Sequence, residues 1–312
     1  MTPTTVHIKG DNDLSHLILE RLKHLDSLAR TVIYSPSRHH HLPQKLFPAT
    51  LAGLINLKDH ITPPQWYAAR NAAWSPLSET PENTDEPLID CTQAGVRIKL
   101  QMDSRPDSTY TIRTAADIET VIPWFRISPA FLVENLSASS LQLAFVLAKA
   151  GKRIFIPAHP TLIIHPDADS DAQALIRKIA CEYGIELTEK TDIYPRLSVE
   201  EDSQRYLITG PVKACDAILK LLAPVNQGNE LCIVNLGNSS AHYLLPPHGK
   251  PGGETIMVSS TPDNILRKIW INNNRITGFI LIGDISGSDT LAALCRNQTD
   301  IRQIRDHLLH SA

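Results

Sequence analysis

Apolar residues at the start of the chain follow two kinds of pattern. Short apolar stretches at residues 6–10 and 31–34 flank a segment at residues 14–28 in which apolar positions recur every three or four residues. The short stretches are typical of strands, and the recurring positions are typical of an amphipathic helix. The pattern therefore predicts a strand–helix–strand unit at the N-terminus.

A second series of the same kind follows in the middle of the chain. Strands are predicted at residues 130–133, 153–156 and 184–187, and helices at residues 138–150 and 169–183. Strands that alternate with helices of this length are connected by right-handed crossovers and form a parallel sheet. Both series therefore predict an α/β fold with Rossmann-like, three-layer units.

The C-terminal part changes character and predicts a small α+β domain. Its strands are expected at residues 231–236, 255–259, 265–271 and 276–282, and its closing helices at residues 290–297 and 301–310. Three consecutive Asn residues at 272–274 predict a hairpin turn, because Asn tolerates a positive φ. Residues 279–282 are continuously apolar, which predicts burial on both faces of the sheet.

Two polar regions are predicted to be loops. Residues 75–87 are rich in proline and polar side chains, which is typical of a loop or linker. Glu200, Glu201 and Asp202 suggest a charged loop, with a short strand at residues 206–208 and a helix at residues 212–222 after it. The segment at residues 237–240, Gly-Asn-Ser-Ser, is expected to form a turn.

The composition excludes several classes of function. The 312 residues include 30 Lys and Arg against 33 Asp and Glu, so the net charge of −3 offers no basic surface for nucleic acid or an anionic membrane. No apolar stretch reaches the roughly 18 residues of a membrane helix, and residues 1–10 lack the features of a secretory signal. We therefore expect a cytoplasmic protein that binds neither nucleic acid nor membranes.

Neither the cysteines nor the histidines predict a catalytic or metal site. The five cysteines include no CxxC pair, so they are expected to be free thiols. Residues 39–41 are all His, but consecutive side chains alternate along a strand and cannot converge, so a solvated loop before Pro43 is expected. A surface loop is also expected around His159 and His165, with a nucleotide-phosphate contact as the alternative. We predict no catalytic residue and no metal ligand.

Several runs, in order along the chain, carry a resemblance to one family. They are residues 51–71, which include the aromatic pair Trp66-Tyr67, residues 88–94, residues 109–117 and residues 278–284. Their order and spacing resemble the flavin-dependent pyridine-nucleotide oxidoreductases, especially rubredoxin reductases and the reductase half of NADH-dependent nitrite reductases. The resemblance implies an FAD-domain-like unit at 1–110 with 192–228 as its return segment, an NAD-domain-like unit at 111–191 and a C-terminal interface domain at 229–312.

The same resemblance places a damaged cofactor loop in the first unit. In a G-x-G-x-x-G loop, the glycines allow a tight turn, contact between the backbone and the pyrophosphate, and close packing of helix and strand. The register of this loop falls on Gly10, Asn12 and Ser15, so only the first glycine is kept. Asp11 and Asp13 are expected to place carboxylates where the pyrophosphate would lie and to repel it.

The other cofactor positions are altered too. In the second unit the register falls on Asn135, Ser137 and Ser140, which a helix N-cap explains without a ligand. The family's Ala-Thr-Gly turn keeps Thr92 but has Gln93 in place of glycine. The remaining vestigial cofactor-binding residues are therefore Gly10, Asn12, Ser15, Thr92, Asn135, Ser137 and Ser140.

Three hypotheses remain open from the sequence. The first is a non-catalytic relative with no cofactor that binds or scaffolds a redox partner, or associates with itself, through residues 229–312. The second is an active FAD-dependent NAD(P)H oxidoreductase that passes electrons to a rubredoxin-like acceptor, with the chemistry supplied by the cofactor. The third is a small-molecule binder that uses the former cofactor cleft.

Overall fold

The computed structural model divides the chain into two compact units. It describes residues 5–25, 30–81, 86–92, 94–105, 108–135, 137–158, 170–190, 192–193, 195–202, 207–209, 231–245, 253–305 and 308. The first unit is formed by Met1–Pro129 with Tyr194–Asn226, and the second by Ala130–Ile193 with Gln227–Ala312. The division of the chain into three functional domains stays a prediction.

The first unit begins with the predicted strand–helix–strand. Its elements are β1 (Thr5–Lys9), α1 (Asp13–Leu25), β2 (Arg30–Ser35), α2 (Phe47–Leu51), α3 (Pro64–Ala68), β3 (Ala72–Pro76) and β4 (Leu88–Asp90). Strand β1 pairs in parallel with β2 and β4, and the sheet has the order β4-β1-β2-β3. Ile8, Ile18 and Ile33 are fully buried between sheet and helix. Burial of this apolar face is what holds α1 on the sheet.

The predicted loop at residues 75–87 begins later than expected. Ser75 and Pro76 complete β3, and Leu77–Glu79 form a single 3₁₀ turn. Proline is tolerated at the end of this strand because β3 is the outer strand of its sheet.

A second group of strands in the first unit corrects one prediction. It comprises β5 (Gly95–Gln101), β6 (Thr109–Ile112), helix α4 (Ala115–Ile127) and β10 (Arg196–Asp202). Strand β5 is antiparallel to both β6 and β10. Glu200, Glu201 and Asp202 therefore lie in a strand and not in a charged loop. The charge of Glu200 is compensated by Lys99 of β5, whose Nζ lies 2.5 Å from its carboxylate.

Strand β11 (Leu207–Thr209) pairs antiparallel with β4 and confirms the short strand predicted at residues 206–208. The helix predicted at residues 212–222 lies outside the described residues.

The second unit contains the predicted parallel series. Its elements are β7 (Ala130–Val133), α5 (Ala138–Lys149), β8 (Arg153–Pro157), α6 (Ser170–Glu182) and β9 (Glu186–Thr188). Strand β8 pairs in parallel with β7 and β9. The predicted α/β class is therefore confirmed in both units.

The C-terminal part forms an antiparallel sheet with the order β12-β13-β16-β15-β14. Its elements are β12 (Cys232–Leu236), β13 (Ser239–Leu244), β14 (Glu254–Ser260), β15 (Ile265–Asn272), β16 (Arg275–Ile282) and α7 (Ser288–Arg296). Asn273 and Asn274 have positive φ values of 49° and 57°, as the predicted hairpin requires. The run from Phe279 to Ile282 is at most 2% exposed, which confirms its burial.

Two predictions for the C-terminal part need correction. The turn predicted at residues 237–240 is confined to Gly237 and Asn238, and Ser239 and Ser240 begin β13, which pairs with both β12 and β16. The strand continues from these serines into residues 241–244, which are all buried. No helix covers the described residues of the predicted segment 301–310, where Arg302–Arg305 form turns.

Within the described ranges, no helix is both long enough and apolar enough to cross a membrane.

Candidate functional site

The loop between β1 and α1 is closed by its own side chains. The Asn12 side-chain oxygen accepts a hydrogen bond from Ser15 N at 3.0 Å, and Ser15 Oγ accepts one from Asn12 N at 2.8 Å. The Asn12 amide also donates to the carbonyls of Cys91 and Ala94, at 2.7 and 3.3 Å. This reciprocal capping satisfies N–H groups that a helix N-terminus otherwise leaves free.

Gly10 keeps the role expected of the first glycine. Its φ is +103°, and a Cβ added there would lie 3.1 Å from the backbone of Cys91 and Thr92. Thr92 is bonded to the last residue of β4, because its N and Oγ1 both donate to Asp90 Oδ1, at 2.9 and 2.6 Å. The structure therefore brings together Gly10, Asn12, Ser15 and Thr92, and it bonds the three polar residues among them within the chain.

Asp11 does not occupy the position that the sequence suggested. Its side chain is 1% exposed and is held by uncharged donors. The Tyr67 hydroxyl lies 3.1 Å from both carboxylate oxygens, and Trp74 Nε1 lies 3.2 Å from Oδ2. The expectation that Asp11 would project toward a pyrophosphate was therefore wrong, because its carboxylate turns into the protein to reach these donors. Only Asp13, whose side chain is about half exposed, remains at the surface.

His16 and His41 converge on the same buried carboxylate. His16 Nε2 lies 2.9 Å from Asp11 Oδ1, and the rings of His16 and His41 are 4.2 Å apart. His41 Nε2 lies 2.6 Å from Asp13 Oδ1. One potential ligand atom from each of Asp11, His16 and His41 lies within 4.8 Å of the others. Burial is the main cause of the lowered pKa of His16, so its imidazole is neutral at neutral pH.

The prediction of a solvated loop at residues 39–41, the histidine run, is therefore only partly correct. His41 is 7% exposed, and His39 pairs with Glu119 at 2.9 Å. The ring of His40 packs against Tyr67 and Trp74, with centroids 4.9 and 5.0 Å apart. The three rings do face different neighbours, but tertiary contacts bury the third. Sequence reasoning missed the convergence of His41 with Asp11 because no local spacing connects residues 30 positions apart.

The equivalent loop of the second unit is also capped internally. Ser137 Oγ accepts a hydrogen bond from Ser140 N at 3.2 Å and lies 2.8 Å from Ser140 Oγ. Ser140 is fully buried at the start of α5. This geometry matches the N-cap explanation. Asn135 lies between β7 and α5. These three residues belong to a different unit from Gly10, Asn12, Ser15 and Thr92.

Dinucleotide-binding units commonly carry an acidic residue at the end of the second strand, where it binds a ribose hydroxyl, but the sequence has Ser35 and Pro157 at these positions. Ser35 is buried, and its Oγ accepts a hydrogen bond from Ser37 N at 3.2 Å. Pro157 ends β8. Gln93, His159 and His165 lie outside the described residues.

A cleft of about 270 Å³ lies in front of the Gly10–Asn12 loop. Two arginines, Arg97 and Arg113, contribute to its wall together with Asp11 and Asp117. The remaining lining residues are Gly10, Asn12, Pro36, Gln44, Leu77, Thr92, Ala94, Val96 and Thr114. This volume is just below the range of about 300–1,000 Å³ that is common for ligand pockets.

The described cysteines are free thiols, as expected. Cys91 and Cys295 are buried, whereas Cys181 and Cys232 are exposed. Burial raises the pKa of the Cys91 thiol to about 12, so it is protonated and unreactive at neutral pH.

The arrangement of βαβ units and the C-terminal antiparallel sheet is the fold of the FAD-dependent pyridine-nucleotide oxidoreductases. One similar solved structure is the NADH:rubredoxin oxidoreductase of Clostridium acetobutylicum, with 11% identity, a TM-score of 0.71 and 100% coverage of both chains. The water-forming NADH oxidase of Lactobacillus brevis shares 11% identity and has a TM-score of 0.68, with 96% of this chain and 92% of that chain covered.

Putidaredoxin reductase, in its covalent complex with putidaredoxin, is similar as well. It shares 12% identity and has a TM-score of 0.67, with 95% of this chain and 94% of that chain covered. No protein-family model and no curated protein sequence matches the chain. The resemblance inferred from the sequence is therefore confirmed at the level of the fold.

Proposed function

We propose that this chain is a non-catalytic relative of the flavin reductases that acts by binding a protein of a redox system. The observation that carries the proposal is the reciprocal bonding of Asn12 and Ser15 at the start of α1. In a dinucleotide-binding loop the backbone N–H groups at this point face the pyrophosphate, and the second glycine lets the ligand approach. Here two of those donors, Asn12 N and Ser15 N, are bonded within the loop, and Asn12 carries a side chain where the second glycine has none.

The fit of FAD to the described residues is poor for a second reason. The Asn12 amide donates hydrogen bonds to the Cys91 and Ala94 carbonyls. These bonds connect the loop between β1 and α1 to the turn after β4, which would also face the cofactor. Displacing Asn12 would break both bonds, at a cost of about 0.5–1.5 kcal/mol each, although the Cys91 carbonyl keeps its bond from Ala94 N at 3.0 Å. The capped loop at Ser137 and Ser140 supports the same conclusion for NAD(P)H.

The first prediction concerns cofactor content. Purified protein, incubated with excess FAD and then desalted, is expected to retain less than about 0.1 FAD per chain, because the loop donors are already bonded. Absorption near 450 nm measures the retained flavin, and calorimetry with NADH measures nucleotide binding. The L. brevis NADH oxidase, treated in parallel, is the positive control.

Retention of about one FAD per chain would contradict the proposal and favour an active oxidoreductase. The small-molecule alternative is favoured by the cleft with Arg97 and Arg113. Inorganic pyrophosphate serves as its probe in the same calorimeter. Saturable binding of pyrophosphate without retention of FAD would support that alternative.

The partner surface is proposed on the C-terminal sheet. Strand β14 is an outer strand, and its side chains Met257 and Val258 are 48% and 42% exposed. Outer strands present unpaired backbone groups to which another chain can add. Two of the similar solved structures are named for small electron carriers, rubredoxin and putidaredoxin.

The second prediction follows from this surface. Rubredoxin and putidaredoxin are the probes. Met257→Lys is expected to weaken the binding of whichever one binds by at least about tenfold, since apolar contacts at the centre of an interface carry about 1–2 kcal/mol or more. Ile233→Lys is the matched control, because Ile233 is 54% exposed on β12 at the other edge of the sheet. Calorimetry measures the affinities. Equal effects of the two substitutions, or no binding of either probe, would count against the proposal.

A further inference from the structure

We propose that Asp11, His16 and His41 form a binding site for a divalent transition-metal ion, with Zn²⁺ as the best match. Their potential ligand atoms lie within 4.8 Å of one another at the start of α1. The sequence predicted no metal ligand, and none of the binding roles proposed above depends on this site.

The charge around Asp11 is the first argument. Its side chain is 1% exposed, yet its partners are Tyr67, Trp74 and His16, and in the described part of the chain no Lys or Arg pairs with it. A buried carboxylate is costly unless a positive group compensates its charge. Asp13 adds a second carboxylate close to His41, at 2.6 Å. A divalent cation between these groups would supply the missing positive charge.

The chemistry of the donors is the second argument. Two imidazole nitrogens and a carboxylate oxygen form a set that suits zinc and the neighbouring transition metals, whereas Mg²⁺ and Ca²⁺ prefer oxygen alone. Zinc bonds of about 2.0–2.2 Å in a tetrahedron place ligand atoms about 3.3–3.6 Å apart. His16 Nε2 and Asp11 Oδ1 are hydrogen-bonded at 2.9 Å, so this pair would need to separate by about 0.5 Å to share an ion.

The groups behind the ligands are the third argument. Ligands of bound metals are usually oriented by hydrogen bonds from a surrounding layer of residues. The Tyr67 hydroxyl and Trp74 Nε1 contact the Asp11 carboxylate, and the Trp66 ring stacks on His16 with centroids 4.3 Å apart. Asp13 contacts the His41 imidazole. The rings and the carboxylate are therefore fixed before any ion arrives.

The histidine run contributes only one ring to this cluster. His39 lies against Glu119 and Arg38, and His40 lies against Tyr67 and Trp74. If the ion binds at Asp11, His16 and His41, a substitution at His41 should weaken binding and one at His39 should not. If surface histidines of the run bind the ion weakly, a substitution at His39 should weaken binding too.

The test uses the full chain, purified without a histidine tag and stripped with a chelator. We expect Zn²⁺ to bind with one equivalent per chain in calorimetry, and Co²⁺ to give visible absorption bands at the same stoichiometry. His41→Gln is expected to weaken Zn²⁺ binding by at least about 100-fold, since even removal of a residue behind a ligand costs about 10–100-fold. His39→Gln and the exposed-site variant His60→Gln are the controls and should bind as the unmodified chain does.

Circular dichroism checks that each variant is folded. If His41→Gln does not fold, Asp13→Asn replaces it, because that side chain is 48% exposed and its loss should weaken binding about 10–100-fold. The proposal is overturned if the unmodified chain shows no saturable binding, or if the folded His41 or Asp13 variant binds as tightly as the unmodified chain. Loss of binding in His39→Gln or His60→Gln would also overturn it, because the ion would then be held by the surface histidines.

Discussion

Replacing Asn12 by alanine is expected to lower the free energy of unfolding by about 2–4 kcal/mol. The side chain caps α1 through Ser15 N, and loss of such a cap costs about 0.5–2 kcal/mol. The substitution also leaves the carbonyls of Cys91 and Ala94 without their side-chain donor, which adds about 1 kcal/mol for each bond. A residue kept only for a lost cofactor would carry no such cost.

Urea denaturation followed by circular dichroism measures this change. Asn56→Ala is the matched control, because Asn56 is an exposed cap whose side chain accepts a single bond from Lys58 N at 3.3 Å. We expect the control to lose less than about 1 kcal/mol. A loss below about 0.5 kcal/mol for Asn12→Ala would show that the loop does not depend on this side chain, and the case against FAD binding would weaken with it.

Replacing Asp284 by alanine is expected to lower the free energy of unfolding by about 3–4 kcal/mol. Arg267 of β15 has a side chain only 5% exposed, and its Nη1 donates to Asp284 Oδ2 at 2.9 Å. Asp284 also accepts bonds from Ser286 N and Oγ, at 3.0 and 2.7 Å. Removing the carboxylate leaves a buried guanidinium without its counter-charge, which typically costs about 3–5 kcal/mol.

The matched control for this prediction is Asp300→Ala. Asp300 pairs with Arg302 at 2.8 Å, but the two side chains are 46% and 73% exposed. An exposed pair contributes about 0–1 kcal/mol, so the control should be nearly neutral. Thermal and urea denaturation compare the variants, and equal losses for Asp284→Ala and Asp300→Ala would contradict the assigned burial of Arg267.

The acid stability of the protein should depend on Asp284 in a defined direction. Hydrogen bonds from Ser286, and then the Arg267 guanidinium, lower the pKa of the Asp284 carboxyl below its ordinary value. A carboxyl with a lowered folded-state pKa contributes stability above its unfolded pKa and loses it as the pH falls. The difference between the unmodified chain and Asp284→Ala should therefore narrow below about pH 4.

The sequence by itself determined most elements of the fold. The strand–helix–strand patterns at β1–β2 and β7–β9 and the Asn hairpin between β15 and β16 depend on local spacing and local φ preferences, which are properties of consecutive residues. The sequence also shows directly that Asn12 and Ser137 stand where the cofactor-binding loops of the family have their second glycine.

Only the tertiary structure decided where the polar side chains of the site lie. Asp11 turns inward because Tyr67 and Trp74, more than 50 residues away in the chain, offer it hydrogen bonds, and His41 is buried because it packs against His16. Contacts between distant segments also explain β13. Its first residues, Ser239 and Ser240, locally favour a turn, but the residues that follow pair with β16 and are buried. Burial and hydrogen bonding between distant segments are not encoded in any local period, so these features could not be inferred before the fold was known.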